Sequence, residues 1–181
     1  MRLFHVSEDP DIRVFEPRLP RRQDLDKSVG LVWAVEEAFL PLMLLPRDCP
    51  RVAYRAGERA TPEDRARYFS CAGSSFVVAI ESAWFERMRD ATLCVYEFDP
   101  AEFALQDAIV GFYAAKTAQR PIARYELRDV LGEQLRRKVE LRVMDRLWEL
   151  AEAVQQSSLD WYLSRMRLAQ VWANTGKFCP L

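Results

Sequence analysis

The sequence predicts a single-domain α+β fold. Short apolar runs bounded by proline, glycine and aspartate are typical of strands, and they alternate with segments that have the i, i+3, i+4 apolar spacing of helices. The 181 residues contain no internal repeat and no linker. We therefore expect one α+β domain over residues 1–173, followed by a C-terminal tail at residues 174–181.

Apolar runs predict strands along the whole chain. The first run ends at Glu8, Asp9 and Pro10, where proline and aspartate favour a tight turn. A later run alternates apolar and charged residues, so Glu140 and Arg142 should share one strand face. The strands that we expect are residues 2–6, 31–35, 51–54, 76–80, 93–98, 109–115 and 139–143.

Helix signals lie between these runs. Thr61 followed by Pro62 and two acidic residues is typical of a helix start, with threonine as the N-cap. The segment 145–156 has the clearest helical spacing, and the apolar, arginine-rich segment 161–172 is also expected to be helical. The remaining helices are expected at residues 36–45, 82–89 and 128–137, with a short turn of helix at 22–27.

Composition narrows the class of protein. Half of the residues are apolar, 29% are charged and the net charge is −1, which is ordinary for a soluble globular protein and gives no electrostatic case for nucleic acid. The most apolar window, residues 29–45, is interrupted by Glu36, Glu37 and Pro41 and is shorter than a bilayer span of about 20 residues. We therefore expect a protein that is not inserted in a membrane.

The four cysteines are widely spaced and form no CxxC pair. A single histidine cannot complete a Cys/His zinc set, so no metal site is expected. The cysteines are interpreted as reduced thiols, and the chain starts with a strand rather than a signal peptide. These observations favour a cytoplasmic protein.

His5 is the only histidine and stands near the end of a strand, just before a tight loop. Rigid elements that end in loops often carry functional side chains. The alternative is a histidine that packs and makes one hydrogen bond, which is the commoner role for an isolated histidine. Both interpretations stay open at this level.

Other candidates have two interpretations each. Glu140 is either a catalytic acid or the partner of Arg142 or Arg124, and Trp33 is either the wall of a ligand site or part of the core. Tyr113 follows Gly111, where backbone can approach a ligand closely, and it is either a pocket residue or a cross-strand aromatic.

The loop at residues 46–51 concentrates charge and a thiol. Arg47 or Arg51 could bind phosphate, or an arginine could clamp Asp48 and fix the loop. Cys49 could also be a nucleophile with His5 as its base.

Several motifs together resemble an uncharacterised bacterial domain family. They are Phe4-His-Val-Ser7, Val32-Trp-Ala34, Leu45-Pro-Arg-Asp-Cys-Pro-Arg-Val52, Gly111-Phe-Tyr113 and Glu140-Leu-Arg142 followed by Leu147-Trp148. Three of these stretches, at residues 3–7, 32–34 and 139–143, are similar to the strand motifs of ADP-ribosyltransferase-like domains. That resemblance implies a mostly antiparallel split sheet with peripheral helices.

The same resemblance implies roles for individual residues. His5 would hydrogen-bond the nicotinamide ribose of NAD with Ser7 beside it, Trp33 would wall the nicotinamide, and Glu140 would stabilise the oxocarbenium-like ribose. Trp33 lacks the hydroxyl of the usual tyrosine, and Lys138 stands where many members have a second polar or acidic residue.

The remaining roles complete the NAD-binding set, with Arg47 or Arg51 binding the pyrophosphate and Tyr113 lining the site. The implied function is cleavage of the nicotinamide–ribose bond of NAD and transfer of ADP-ribose to an unknown acceptor, for which a protein is one candidate. The alternative is a small-molecule-binding module, or a small biosynthetic enzyme, that uses the same pocket for an apolar ligand without NAD.

Overall fold

The computed structural model describes residues 1–20 and 26–170. The chain divides into two compact units, each built from two separate stretches of sequence. The first unit contains Met1–Leu44 and Thr92–Arg128, and the second contains Leu45–Ala91 and Asp129–Leu181. The predicted tail at residues 174–181 lies outside the described residues, as does most of the predicted helical turn at residues 22–27.

The described residues form ten β-strands. In chain order they are β1 (Leu3–Ser7), β2 (Val32–Glu36), β3 (Arg51–Arg55), β4 (Phe76–Glu81), β5 (Leu93–Phe98), β6 (Ala104–Asp107), β7 (Phe112–Ala115), β8 (Ala123–Leu127), β9 (Val139–Met144) and β10 (Asp160–Ser164).

The helices are short. The α-helices are α1 (Pro62–Tyr68), α2 (Phe85–Arg89), α3 (Val130–Arg136) and α4 (Trp148–Gln155). Four 3-10 helices cover Glu37–Leu42, Ser82–Trp84, Pro100–Glu102 and Met166–Leu168. The expected α+β class with a mostly antiparallel sheet is confirmed. No helix within residues 1–20 and 26–170 has the length and apolar character needed to cross a bilayer.

The first unit is organised on a six-stranded sheet with the strand order β6-β7-β2-β1-β5-β8. Every neighbouring pair in it is antiparallel. One face of this sheet carries an apolar cluster of buried side chains: Leu3, Phe15, Val32, Ala34, Cys94, Tyr96, Phe98, Phe103 and Ala115. Because residues two apart on a strand share a face, His5 lies on this same face as Leu3.

The second unit has a four-stranded sheet with the order β10-β3-β4-β9. β4 is buried along its whole length, and all of its residues except the last, Glu81, are apolar. β9 runs parallel to β4, whereas β3 and β10 are antiparallel to their neighbours. The helix α4 packs its buried residues Ala151 and Val154 onto the core of this unit.

The helix start at Thr61 follows the sequence expectation. The Thr61 hydroxyl accepts a hydrogen bond of 3.2 Å from the backbone N–H of Asp64. Pro62 occupies the first helical position, where its missing N–H leaves no hydrogen bond unmade.

The predicted helix at residues 161–172 is wrong over residues 161–165, and the rest of its described part contains only the 3-10 helix Met166–Leu168. Residues Asp160–Ser164 form β10, which pairs antiparallel with β3, and Arg165 then has a φ of 58°. A left-handed residue interrupts a right-handed helix, and pairing with β3 satisfies the backbone groups that a helix would otherwise satisfy. The segment 36–45, expected to be helical, contains only the 3-10 helix Glu37–Leu42.

The strand predicted at residues 109–115 begins only at Phe112, because Gly111 adopts a φ of 62°. A Cβ at Gly111 would overlap the ring of Phe39. The close approach that this glycine permits is therefore to Phe39, a side chain of the same unit.

We predict that Gly111→Ala destabilises the protein by at least about 2 kcal/mol, because alanine is strained at positive φ and its Cβ meets the Phe39 ring. Urea unfolding measures the change. Gly73→Ala is the matched control, since its Cβ would lie 3.8 Å from its nearest neighbour, the Cys71 sulfur, in ordinary van der Waals contact. Equal stability of the two variants would contradict the prediction.

Candidate functional site

His5 sits where β1 and β2 part. The two strands pair at Leu3↔Glu36 and Phe4↔Val35 only, although the same register continued would place Val6 opposite Trp33. Instead, His5 Nδ1 lies 2.9 Å from the carbonyl oxygen of Trp33. Because a carbonyl oxygen only accepts, Nδ1 carries the proton, and in the neutral form of the ring Nε2 is then the acceptor nitrogen.

Aromatic side chains share the face of the sheet on which His5 lies, and one of them contacts its ring. The Phe15 ring lies 4.8 Å from the imidazole, measured between centroids, and also contacts Tyr96 at 5.1 Å. Tyr96 is the partner of His5 in the β1–β5 register. Tyr113 is half-buried and packs against the same cluster, so it and His5 share a face.

The loop after β1 is fixed by hydroxyl groups. Ser7 Oγ accepts a 3.1 Å hydrogen bond from the Asp9 N–H. The Tyr96 hydroxyl donates to the Asp9 carbonyl at 2.7 Å and accepts from the Ile12 N–H at 3.2 Å. Burial raises the pKa of Tyr96, so the hydroxyl keeps its proton at neutral pH. Ser7 and Tyr96 thus hold the loop beside His5.

Trp33 points away from His5. It pairs with Ala114, while its neighbour Ala34 belongs to the apolar cluster that lies on the His5 face. Its ring contacts Phe112 edge-on at 5.9 Å. Adjacent residues of a strand face opposite sides, so the Trp33 and His5 side chains lie on opposite faces of the sheet. The expectation that Trp33 and His5 line one nicotinamide pocket is therefore corrected, because their side chains lie on opposite faces of the sheet.

Glu140 lies on β9 in the second unit, with its side chain 16% exposed. Its Oε1 accepts from the Ser70 hydroxyl at 2.7 Å and from the Arg142 Nη2 at 2.7 Å, and its Oε2 accepts from the Ser70 N–H at 3.0 Å. Burial opposes ionisation, but the hydrogen bonds from Ser70 and Arg142 outweigh it and lower the pKa of Glu140. Of the two partners considered from the sequence, Arg142 is the one that pairs.

The two candidate arginines differ in exposure. Arg47 is exposed. Arg51 is only 8% exposed, and it donates to the Cys49 carbonyl at 3.1 Å while lying 5.8 Å from the Tyr162 ring centroid. A buried guanidinium that closes its own loop is poorly placed to reach a pyrophosphate, so Arg47 is the better phosphate candidate of the two.

The arginine that pairs with Asp48 is not in the loop at residues 46–51 but in another segment of the chain. Asp48, at a φ of 65°, pairs with Arg165 at 3.2 Å, and Arg165 also has a positive φ. The loop at residues 46–51 is thus tied to the residue that follows β10.

Cys49 is fully buried, and its thiol donates to the Pro50 carbonyl at 3.5 Å. Burial raises the pKa of Cys49 to about 12, in spite of the nearby charges of Arg51 and Arg87. Thiolates, not thiols, are nucleophiles. The hypothesis that Cys49 is a nucleophile is therefore wrong for this conformation.

The predicted site residues thus fall into two groups. His5, Ser7, Trp33 and Tyr113 belong to the first unit, and Arg47, Arg51 and Glu140 belong to the second. Sequence reasoning missed Phe15, Tyr96 and Ser70, which contact His5 or Glu140 from distant positions. No local pattern marks such residues, because each contact depends on strand order.

We predict that Tyr96→Phe lowers the free energy of unfolding by about 1–2 kcal/mol, since it removes the hydroxyl that bonds Asp9 and Ile12. Chemical denaturation measures this change. Tyr125→Phe is the control, because its hydroxyl bonds Glu97 at an exposed position. If both variants lose equally little, the hydroxyl of Tyr96 does not hold the loop.

We predict that Glu140→Gln costs about 2 kcal/mol at pH 7, because it breaks the charged pair with Arg142 and leaves Ser70 donors poorly matched. A carboxylate with a lowered folded pKa stabilises the fold above its unfolded pKa. The stability gap to wild type should therefore be full above the ordinary pKa of 4.5 and close as pH falls through the lowered value.

Urea unfolding between pH 3 and 7 measures that gap. Glu152→Gln, at an exposed position of α4, is the control that removes a carboxylate without touching Ser70 or Arg142. A gap for Glu140→Gln that stays constant over this range would show that the Glu140 charge does not stabilise the fold.

Comparison with known proteins identifies a family but no activity. No curated protein and no solved structure matched the chain. A model described as a family of unknown function, DUF6886, matches residues 4–169. The resemblance to an uncharacterised family is thereby confirmed, while the resemblance to ADP-ribosyltransferases stays a prediction. Since the match covers most of the 181 residues, the chain belongs to the family of unknown function DUF6886.

Proposed function

We propose that this chain is an ADP-ribosyltransferase-like enzyme that cleaves the nicotinamide–ribose bond of NAD and passes ADP-ribose to an acceptor or to water. The orientation of His5 is the observation that carries the proposal. The 2.9 Å bond from Nδ1 to the Trp33 carbonyl fixes the ring and its tautomer.

A fixed neutral imidazole suits the recognition of a ribose. Its Nε2 is a hydrogen-bond acceptor, and a ribose hydroxyl is a donor of matching kind. Tyr113 is half-buried on the same face as His5 and would offer apolar ring surface to a flat base, while the buried Phe15 packs against the imidazole and supports it. In this proposal Tyr113 replaces Trp33, whose side chain lies on the other face, as the contact of the nicotinamide.

Glu140 supplies the acid in the proposed reaction. Loss of nicotinamide builds positive charge on the ribose, and an ionised carboxylate stabilises that charge in the transition state. The lowered pKa of Glu140 keeps it ionised at neutral pH, as this role requires. Its bonds to Ser70 hold the carboxylate in one orientation.

The proposal also concerns the fold, the cellular compartment and the acceptor of ADP-ribose. Two mostly antiparallel sheets, with His5 on a central strand, support an ADP-ribosyltransferase-like fold. The free thiols of Cys49, Cys71 and Cys94 support a reducing compartment, for which we propose the cytoplasm. The acceptor would be a protein or a small molecule of that compartment.

A second candidate is a module that binds a small apolar molecule through the His5 face and does not use NAD. The specific observation in its favour is that both Glu140 oxygens already accept hydrogen bonds and that Arg142 balances the charge. In this proposal Glu140 is a structural clamp of β9, and His5 supplies one polar contact among aromatic side chains.

We predict that the wild-type protein shows a thermal shift with millimolar NAD and releases nicotinamide, and that His5→Asn loses both while it stays folded. Asparagine places an amide N–H near the position of Nδ1, so the bond to the Trp33 carbonyl is kept, while the Nε2 side of the ring and its contact with Phe15 are removed. Nicotinamide release is measured by chromatography.

Glu140→Gln should bind NAD but release no nicotinamide, provided the assay is run below its reduced melting temperature. A thermal shift without release in the wild type would favour the binding module. Neither shift nor release with the wild type would overturn the use of NAD altogether.

A further inference from the structure

Among the described residues, no strand pairs with the outer edge of the last strand of the six-stranded sheet. β8 ends the strand order, and within the described residues β5 is its only strand partner. Its residues Arg124, Tyr125 and Glu126 are all exposed. Open edges present backbone N–H and C=O groups that can pair with another strand.

The hydrogen-bond pattern shows which residues of β8 direct their backbone groups outward. The Glu37 N–H donates to the Arg2 carbonyl across the β1–β2 pair, so even-numbered residues of β1 bond to β2 and odd-numbered ones to β5. In the β1–β5 register His5 pairs with Tyr96, so the even-numbered residues of β5 bond to β1 and the odd-numbered ones bond to β8. Val95 pairs with Tyr125, so the backbone groups of Tyr125 bond to β5. The backbone groups of Arg124 and Glu126 therefore lie at the open edge.

The charges on this edge are self-complementary. We propose that β8 pairs antiparallel with β8 of a second copy of this chain, about a two-fold axis at Tyr125. This register places Arg124 opposite Glu126 of the second copy, and Glu126 opposite its Arg124. Both are the residues whose backbone groups lie at the edge, so they also make the ladder hydrogen bonds.

Charge also excludes the neighbouring registers. A shift by two residues in one direction places Arg124 opposite Arg124 of the second copy. The same shift in the other direction places Glu126 opposite Glu126 of the second copy. Like charges directly opposite each other destabilise a strand pair. Only the register centred on Tyr125 has opposite charges at both ladder positions.

The present contacts of these side chains are compatible with such a pairing. Arg124 donates one guanidinium nitrogen to the Pro10 carbonyl, and Glu126 accepts from Arg128 on its own strand. Guanidinium and carboxylate groups each have further hydrogen-bonding positions. A single strand pair is smaller than the roughly 1,200 Å² of a stable interface, so we expect a dimer that forms reversibly with concentration.

Variants that reverse the charges at positions 124 and 126 test the proposal. Their dimerisation is measured by sedimentation velocity over a concentration series. We expect wild type to dimerise, Glu126→Arg to weaken dimerisation about tenfold, and the double variant Arg124→Glu with Glu126→Arg to restore it. Glu152→Arg, an exposed change on α4, should leave the dimer as in wild type. A wild type that stays monomeric, or a dimer indifferent to both changes, overturns the proposal.

A cysteine at the axis gives a second and independent measurement. In the proposed register Tyr125 faces its own copy in a non-hydrogen-bonded pair, with Cα atoms about 4.5 Å apart, which a disulfide can span. In a background with Cys71→Ser and Cys179→Ser, which removes the exposed thiol and the thiol outside the described residues, Tyr125→Cys should form a covalent dimer with oxidised glutathione. Ile109→Cys, exposed elsewhere in the same unit, is the control.

The cysteine result stands even where a charge variant fails to fold. Absence of a Tyr125→Cys dimer in a folded protein overturns the proposed register. Equal dimer formation by Tyr125→Cys and Ile109→Cys does the same, because it reports collision rather than pairing.

Discussion

The first unit depends on how far β1 stays paired with β2. All five residues of β1 pair with β5, but only Leu3 and Phe4 pair with β2. Where the strands part, the Trp33 carbonyl turns toward β1 and accepts from His5. An unsatisfied buried carbonyl costs about 1–3 kcal/mol, so the imidazole replaces a ladder bond that the backbone does not make. The same contact orients the ring.

Because one contact both satisfies the Trp33 carbonyl and orients the His5 ring, the structural and the functional interpretations of His5 are not exclusive. A histidine that satisfies a backbone carbonyl through Nδ1 is structural by that contact, and the same contact sets the tautomer that a ligand would meet. The alternation of side chains between the two faces of the sheet then determines which residues lie next to the His5 ring. Tyr113 and Phe15 share its face, whereas Trp33, one residue from Ala34, does not.

Elements with a strong apolar signal were predictable, and those stabilised by distant partners were not. The strands expected at 76–80 and 93–98 match β4 and β5 closely, because both are almost entirely buried. β6 is exposed at three of its four residues and has no apolar run, so it gave no signal. β10 was mistaken for a helix because its partner β3 lies about a hundred residues away.

The candidate site shows the same division between local and distant contacts. Glu140 and Arg142 are two apart on one strand face, so their pairing followed from the sequence, whereas the bonds from Ser70 did not. These bonds give Glu140 the two properties that catalysis and clamping share, ionisation and a fixed orientation. What separates the two roles is Arg142. While it stays paired, it balances the carboxylate charge and weakens any stabilisation of a cationic ribose. If Glu140 is catalytic, it stabilises the ribose cation more strongly once substrate binding displaces Arg142, whereas a purely structural clamp never needs that displacement.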